Sequence, residues 1–247
     1  MSDASEIAVE KPLSGRVALI TGGSRGIGKA IARKLAGLGA SISICARDSN
    51  TLASAASALR SITDGVLAQS ADVTSSRDIA ALVQTTEEKL GPIALLVNNA
   101  GIGNPGFGPL QDKSENDWDH VLSTNLKSVF LVSRAVVPLM IQRRAGDIIN
   151  ISSLAGKNTF AGGSLYCASK WGLQGLTACM AEDLRAFGIR VSAICPGSVF
   201  TDFSGRGPKD PSKVLSADDV AHAVAMLALQ GPQSFISEVH LRPLSKP

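Results

Sequence analysis

Tyr166 and Lys170 form a Y-x-x-x-K pair whose side chains could carry acid–base chemistry. They fall inside a predicted helix, where a spacing of four residues places both side chains on one face. A free tyrosine has a pKa of about 10, so it is a poor acid or base at neutral pH. A neighbouring ammonium group favours the phenolate and lowers that pKa, so the pair predicts a tyrosine that takes part in proton transfer. Alone, the same pattern also occurs in helices where it is only structural.

A glycine-rich turn near the N-terminus could bind phosphate. The apolar run VALI at 17–20 leads into TGGSRGIG at 21–28 and then into a helical pattern. Gly22, Gly26 and Gly28 allow a tight turn and a close backbone approach to a pyrophosphate, while the helix N-terminus offers N–H groups. The alternative is a glycine-rich turn without a ligand, and the strand–turn–helix context argues against it.

Alternating strand and helix patterns run through the chain and must position these residues. Predicted strands are 17–20, 41–45, 93–97, 147–151 and 191–195, and predicted helices are 27–37, 50–61, 76–90, 115–144, 164–187 and 217–229. This alternation predicts one α/β domain with a parallel sheet and helices on both faces. Ser114-x-x-Asp117 and Ser216-x-x-Asp219 predict helix N-caps, Gly39 predicts a helix end, and Pro138 predicts a kink or a break in the fourth helix.

Composition and charge argue against several classes of protein. The 247 residues are 45% hydrophobic and 18% charged, with a formal net charge of +3 and no dense Lys/Arg run, which argues against nucleic-acid binding. No apolar stretch approaches the roughly 20 residues that span a bilayer, and residues 1–13 lack the pattern of a signal peptide. The four cysteines have no C-x-x-C spacing and predict buried free thiols in a reducing compartment. We therefore predict a flexible tail at 1–13, a single domain at 14–247, a cytoplasmic location, no membrane partner and no metal site.

The glycine spacing T-G-x-x-x-G-x-G resembles that of the short-chain dehydrogenase/reductase family. Later motifs follow in the family order: Asp72 after the third strand, NNAG at 98–101, a serine thirteen residues before the tyrosine, Y-x-x-x-K, and P-G-x-x-x-T at 196–201. The resemblance covers residues 15–201, about three quarters of the chain. It implies a Rossmann-type, doubly wound parallel sheet of about seven strands that binds a nicotinamide cofactor.

The family resemblance assigns a catalytic tetrad to Asn125, Ser153, Tyr166 and Lys170. Tyr166 would donate a proton to the substrate oxygen, and Ser153 would hydrogen-bond the carbonyl and stabilise its developing charge. Lys170 would lower the tyrosine pKa and hold the cofactor ribose, and Asn125 would hold a water molecule that links the lysine to solvent. Ser152 is one residue away from the family spacing, so Ser153 is preferred.

Two arginines favour NADP(H) over NAD. Arg25 lies in the glycine loop and Arg47 follows the second strand, where NAD-binding proteins carry an acid for the ribose. Guanidinium groups pair well with a 2′-phosphate. The alternative is that Arg47 is solvated and Asp48 binds the ribose of NAD. The full predicted cofactor set is Thr21, Gly22, Ser24, Arg25, Gly26, Ile27, Gly28, Arg47, Asp72, Val73, Asn99, Ala100, Gly101, Tyr166, Lys170, Pro196, Gly197, Val199 and Thr201.

The C-terminal part departs from the family pattern. Only the short polar loop 200–215, with Phe200 and Phe203 as its aromatic residues, separates the P-G motif from the next helix. The run 125–156 is similar to 3-oxoacyl-thioester reductases of fatty-acid synthesis, which implies NADPH-dependent reduction of a ketone. The alternatives are an enzyme acting on small hydroxy or keto compounds, and a non-catalytic NADP-binding regulator. Helices 115–144 and 164–187 would form the interface of a homodimer or homotetramer, or would only be buried on the sheet.

Overall fold

The computed structural model describes residues 11–103, 108–201, 203 and 210–245, which form alternating strands and helices. The strands are β1 Val17–Thr21, β2 Ser41–Ala46, β3 Val66–Ser70, β4 Ile93–Asn98, β5 Gly146–Ile151, β6 Ile189–Pro196 and β7 Glu238–Leu241. The helices are α1 Gly26–Gly37, α2 Ser49–Arg60, α3 Ser76–Leu90, α4 Glu115–Leu122, α5 Ser128–Arg143, α6 Ser164–Arg185 and α7 Ala217–Ala228.

The strands form one seven-stranded sheet in the order β3-β2-β1-β4-β5-β6-β7, and every pairing is parallel. The order reverses at β1, which lies between β2 and β4. In such sheets the carboxyl ends of the strands share one edge, and ligands bind in the crevice at the reversal. The predicted Rossmann-type, doubly wound fold is therefore confirmed.

Apolar side chains fill both faces of the sheet. Helices α1, α2 and α7 cover one face, and α3, α5 and α6 cover the other. Because β1 and β4 are buried on both sides, they read in the sequence as uninterrupted apolar runs. The edge strands β3 and β7 are only partly buried, so their patterns are too weak to delimit from the sequence.

The predicted fourth helix is interrupted, but not at Pro138. Helix α5 continues through Pro138, and a π-helical turn at Ser123–Lys127 separates it from α4. The predicted break at Pro138 is therefore wrong. Pro138 is exposed, so water can hydrate the carbonyl that loses its helical partner. Single π turns are rare and occur often at functional sites, and this one contains Asn125.

The predicted helix ends are confirmed. Ser114 caps α4 by accepting the N–H of Asp117, and Ser216 forms a capping box with Asp219 at α7. Gly39 adopts a φ of +98° just after α1. These local signals fix where the helices begin and end, and so which side chains reach the sheet.

Leu13, the last residue of the predicted tail, packs into the apolar core. Leu13 is buried, and its N–H donates to the carbonyl of Leu38 at 2.9 Å. Residues 1–10 of the predicted tail lie outside the described ranges. The thiols of Cys45, Cys167 and Cys195 are free and buried as predicted, whereas that of Cys179 is exposed.

One helical segment qualifies the statement that no stretch of the chain is long enough to span a bilayer. Among the described residues, only the helical segment Glu115–Arg143 is long and apolar enough, by length and composition, to cross a membrane. Side chains of α5 such as Val132, Val136 and Met140 are buried against the sheet. Core helices pass the same test, and the packing of α5 is that of a core helix. The cytoplasmic location stays a prediction.

Candidate active site

The four residues of the predicted tetrad converge at the carboxyl edge of the sheet. Ser153 follows β5, Tyr166 and Lys170 lie in the first half of α6, and Asn125 lies in the π turn. The elements that carry them contact one another, because α6 packs against the π turn and against the 3₁₀ turn after Ser153. The structure thus brings together side chains that are up to 45 positions apart in the chain.

The Ser153 hydroxyl lies against Tyr166. Its Oγ lies close enough to the phenol to lower the pKa of that group, and it accepts the N–H of Ala155 at 3.1 Å. The neighbouring Ser152 is buried, and its Oγ accepts from Gln174 Nε2 at 3.0 Å. Successive side chains at a strand end point to opposite sides, so only one of the two serines reaches the tyrosine. The geometry supports the choice of Ser153.

Lys170 is buried, with 5% of its surface exposed. Its Nζ donates to the Ile151 carbonyl at 3.0 Å and lies 5.8 Å from the centre of the Tyr166 ring. Burial lowers the pKa of Lys170 to about 8, because the ammonium loses its hydration. A lysine with a pKa in this range can release and regain a proton under physiological conditions.

Tyr166 shows a pKa shift opposite to the predicted one. Burial raises its pKa to about 12, and the hydrogen bond from Ser153 offsets only part of this rise. The phenolate would be poorly hydrated, while the Lys170 ammonium points to a backbone carbonyl and is itself easily deprotonated. In the cofactor-free protein the causes of this shift do not include Lys170, so the lowering of the tyrosine pKa by Lys170 stays a prediction. Tyr166 is held as the neutral phenol, which is the form that donates a proton.

Asn125 joins three segments of the chain. Its Oδ1 accepts the N–H of Ile102 at 2.8 Å, and its Nδ2 donates to the Ile102 carbonyl at 3.0 Å and to Ser169 Oγ at 3.2 Å. Ser169 Oγ donates in turn to the Tyr166 carbonyl at 2.7 Å. These bonds explain why an asparagine lies buried within a helical segment. Its predicted role in holding a water molecule stays a prediction.

The glycine loop is packed too tightly for side chains. A Cβ on Gly28 would lie 2.2 Å from the Gly22 carbonyl oxygen and 2.5 Å from Asn99 Nδ2. Gly22 and Gly26 have φ values of +66° and +51°, which glycine adopts at little cost. Within the described part of the chain, no side chain caps α1 and no acid lies in its first turn. The helix N-terminus can therefore receive an anion, and the loop fits the pyrophosphate of a nicotinamide dinucleotide.

Thr21 ties the glycine loop to the NNAG motif. Its Oγ1 accepts the N–H groups of Asn99 and Ala100, both at 3.0 Å. Asn99 Nδ2 donates to the carbonyls of Thr21 at 2.9 Å and Gly22 at 3.2 Å. Thr21, Asn99 and Ala100 therefore fix the shape of the crevice between β1 and β4. Their direct contact with a cofactor stays a prediction.

Arg25 and Arg47 are both exposed at this edge of the sheet. Asp48, the alternative ribose ligand, caps α2 by accepting the N–H of Thr51 at 2.7 Å. That hydrogen bond is the main cause that holds the pKa of Asp48 below its usual range, and Arg25 adds to it. An acid engaged as a helix cap is less free to bind a ribose, so the structure favours the arginines over Asp48.

Asp72 forms a local turn after β3. Its Oδ1 accepts from the N–H and the hydroxyl of Thr74, both at 2.8 Å. The N–H bond is the main cause that holds the pKa of Asp72 below its usual range, and Arg47 contributes. The adjacent Val73 packs against the core. Contact of Asp72 and Val73 with an adenine ring stays a prediction.

The P-G-x-x-x-T stretch folds back towards the glycine loop. Val199 pairs with Leu215, and a Cβ on Gly26 would lie 3.5 Å from Thr201 Cγ2. Phe203, in the predicted substrate loop, packs edge-on against Tyr166 with ring centres 6.2 Å apart. Residues 202 and 204–209 of that loop lie outside the described ranges. The rest of the predicted cofactor set lies along the same edge: Ser24 and Ile27 at the start of α1, Gly101 after β4, and Pro196 and Gly197 at the end of β6.

Sequence reasoning missed a polar cluster beside Ser153. Its members come from the turn after β5, from α6, from β6 and from β7, and no motif spacing links them: Lys157, Gln174, Cys195, Glu238 and His240. The available signals were Glu238 and His240, the two polar residues of the short C-terminal strand.

Comparison with known proteins supports the same site. A family model described as short chain dehydrogenase matches residues 16–211. A 3-oxoacyl-[acyl-carrier-protein] reductase of Synechocystis sp. is 36% identical over 233 residues, which are 91% of this chain and 94% of that protein. The crystal structure of a metagenomic short-chain oxidoreductase in complex with NADP is 44% identical, covers 95% of this chain and 100% of its own, and has a TM-score of 0.83. The crystal structure of levodione reductase is 30% identical and covers 93% of this chain and 97% of the levodione reductase chain, with a TM-score of 0.87. These matches span the glycine loop, the serine and the Y-x-x-x-K pair, and the chain belongs to the short-chain dehydrogenase/reductase family.

Proposed function

We propose that this chain is an NADPH-dependent reductase that converts a ketone into an alcohol, with Tyr166 as the proton donor. The observation that carries the proposal is the convergence of Ser153, Tyr166 and the buried Lys170 at the carboxyl edge of the sheet, with Lys170 Nζ 5.8 Å from the centre of the Tyr166 ring. Two relatives add support, because one is named a 3-oxoacyl reductase and another is solved in complex with NADP. A 3-oxoacyl thioester is therefore the first substrate class that we propose.

The reduction would take place in three linked steps: transfer of a hydride, donation of a proton by Tyr166 and supply of a proton from Lys170. NADPH, when bound, supplies the hydride for the carbonyl carbon. Ser153 and Tyr166 hydrogen-bond the carbonyl oxygen and stabilise the negative charge that develops on it. Tyr166, a neutral phenol with its pKa raised to about 12, gives its proton to that oxygen, because an alkoxide is a stronger base than a phenolate. Lys170, with a pKa of about 8, then supplies a proton towards the phenolate.

The cofactor would be held by the glycine loop and the two arginines. The first N–H groups of α1 and the backbone around Gly22 would hold the pyrophosphate. Arg25 and Arg47 would pair with the 2′-phosphate that distinguishes NADPH from NADH. Both guanidinium groups are exposed, so we expect a preference for NADPH of about tenfold to a hundredfold rather than absolute selection.

The test is NADPH consumption by the purified protein with an acetoacetyl thioester, beside an identical assay with NADH. We expect turnover that is faster with NADPH. Tyr166→Phe should lower kcat by at least about a hundredfold while NADPH binding, followed by cofactor fluorescence, is retained. If both proteins bind NADPH and neither reduces any ketone, the chain is a non-catalytic NADP-binding regulator and the proposal fails. Turnover with small ketones alone would reject only the thioester.

We also propose that the chain forms a homo-oligomer through α4, α5 and α6. Phe130 on α5 is 45% exposed and lines a groove together with Leu122, Leu126 and Leu176, and Trp171 on α6 is 50% exposed. An exposed apolar patch of this kind is typical of an interaction surface. Light scattering should give a dimer or tetramer, and Phe130→Glu should dissociate it. A monomeric unmodified protein would contradict this proposal.

A further inference from the structure

Gln174 and Cys195 connect the buried serine after β5 to the last strand. Gln174 Nε2 donates to Ser152 Oγ at 3.0 Å and to Cys195 Sγ at 2.8 Å. The Cys195 thiol donates to Glu238 Oε1 at 3.2 Å. Glu238 lies on β7, so these bonds run from β5 across α6 and β6 to the edge of the sheet.

Lys157 connects Glu238 to the turn that follows Ser153. Its Nζ lies 2.9 Å from the same Glu238 Oε1. Lys157 also ends the 3₁₀ turn Leu154–Gly156, which begins at Ser153, and its N–H donates to the Leu154 carbonyl at 3.0 Å. The side-chain bonds and this turn together form a closed ring that contains both serines.

Glu238 therefore holds two segments that flank the site. Through Lys157 it holds the turn that begins at Ser153, and through Cys195 it holds the end of β6 just before Pro196. A backbone bond from the Ser152 N–H to the Ile194 carbonyl at 2.7 Å joins the two segments just before the site, whereas beyond it Ser153 Oγ reaches the Pro196 carbonyl only at 3.5 Å. Beyond that backbone bond, the Glu238 carboxylate links the two segments through Lys157 and Cys195.

The same atoms include a set of potential metal ligands. The donor atoms of Cys195, Glu238 and His240 lie within 4.8 Å of one another. However, the Lys157 ammonium already neutralises the carboxylate, and burial raises the pKa of the Cys195 thiol to about 12, so it stays protonated. The charges of the cluster therefore balance one another, and Lys157 connects the cluster to the turn that begins at Ser153.

We propose that Glu238 is a positioning residue for the reduction, which fixes Ser153 against Tyr166 by holding the turn through Lys157 and the end of β6 through Cys195. This inference rests on the proposed function, since it assigns Ser153 to the carbonyl. Side chains of the ion pair are 35% and 28% exposed, so the pair is partly shielded from water. A small displacement of Ser153 is expected to matter because the hydroxyl must meet both the phenol and the carbonyl oxygen.

The test compares Glu238→Gln with the same change at Glu182. Glu182 pairs with Arg185 on the outer part of α6, where its side chain is 70% exposed. We expect Glu238→Gln to lower kcat about tenfold, with a smaller change in the NADPH dissociation constant, and Glu182→Gln to change neither. In a Ser153→Ala background, Glu238→Gln should lower kcat no further, because the group that it positions is already absent.

A second readout does not depend on turnover. In the protein with neither substrate nor cofactor, Glu238→Gln should speed amide hydrogen exchange at 154–158 and at Cys195 and Gly197, and Glu182→Gln should not. Unchanged exchange and unchanged kcat would overturn the inference. An equal loss of kcat with and without Ser153 would also overturn it, because the effect would then be general. If no substrate is ever reduced while exchange responds as expected, the proposed function fails and the bracing of the turn stands.

Discussion

We expect the buried Lys170 side chain to lower the free energy of unfolding of the protein at neutral pH. Burial lowers its pKa from 10.5 to about 8, so the folded protein binds this proton less tightly than the unfolded chain does. The resulting loss of folding stability is complete below pH 8, and it disappears as the pH rises from 8 to 10.5. At about 1.4 kcal/mol for each pH unit between the two pKa values, it amounts to about 3 kcal/mol at pH 7.

Lys170→Met removes this penalty and keeps a side chain of similar length. The variant loses the hydrogen bond from Nζ to the Ile151 carbonyl, which contributes about 1 kcal/mol. The free energy of unfolding should therefore rise by about 2 kcal/mol at pH 7, which corresponds to a rise in Tm of about 6 °C. At pH 10 the wild-type lysine is neutral in the folded protein, so the difference should fall to zero or reverse.

The measurement is urea denaturation of the cofactor-free protein at pH 7 and pH 10. Lys89→Met is the matched control, because Lys89 is exposed on α3, and it should change stability by less than about 0.5 kcal/mol at both pH values. A Lys170→Met protein that is less stable at pH 7, or a stability gain that is the same at both pH values, would refute the reasoning. Either result would mean that Lys170 keeps an ordinary pKa in the fold.

Two other substitutions test the packing that supports the site. Gly28→Ala places a Cβ 2.2 Å from the Gly22 carbonyl oxygen, and it should weaken NADPH binding at least about tenfold in a fluorescence titration. Gly37→Ala is the control, because no atom lies within 4 Å of the added Cβ, and it should leave NADPH binding unchanged. Asp147→Asn removes the charge that Arg16 and Arg190 each approach at 2.6 Å, and it should lower the free energy of unfolding by about 2 kcal/mol in urea, since both arginines are partly exposed. An Asp147→Asn protein as stable as the wild type would mean that water satisfies both guanidinium groups.

The sequence predicts the parts of the site that depend on local chemistry. Gly22 and Gly26 need glycine because of their positive φ values, and Tyr166 and Lys170 need only the helical spacing. Helix caps such as Ser216 likewise depend on neighbours three residues away. These features are visible in a single sequence because the chain itself fixes the distance between their members.

Other features depend on how distant segments pack, and the sequence does not show them. Pro138 looks like a helix breaker, but its exposure allows the helix to continue, while the π turn is stabilised by bonds from Asn125 to Ile102 and Ser169. The pKa of Tyr166 follows its burial, which is a property of the assembled fold. Glu238 contacts Lys157 although 81 positions separate them, and no pattern connects the two.

The pKa order of the two central residues favours reduction over oxidation. Reduction starts from the neutral phenol, which is the stable form of Tyr166 at any pH below about 12. Oxidation of an alcohol needs the phenolate, and at pH 7 only about one molecule in 10⁵ of the cofactor-free protein carries it, since each pH unit below the pKa is a factor of ten. We therefore expect the kcat/KM of alcohol oxidation to rise steadily from pH 7 to pH 10, whereas that of ketone reduction should not rise over that range. Oxidation that is independent of pH between 7 and 9 would show that the working pKa of Tyr166 is far lower, and that the lysine then acts on the tyrosine as the sequence alone predicts.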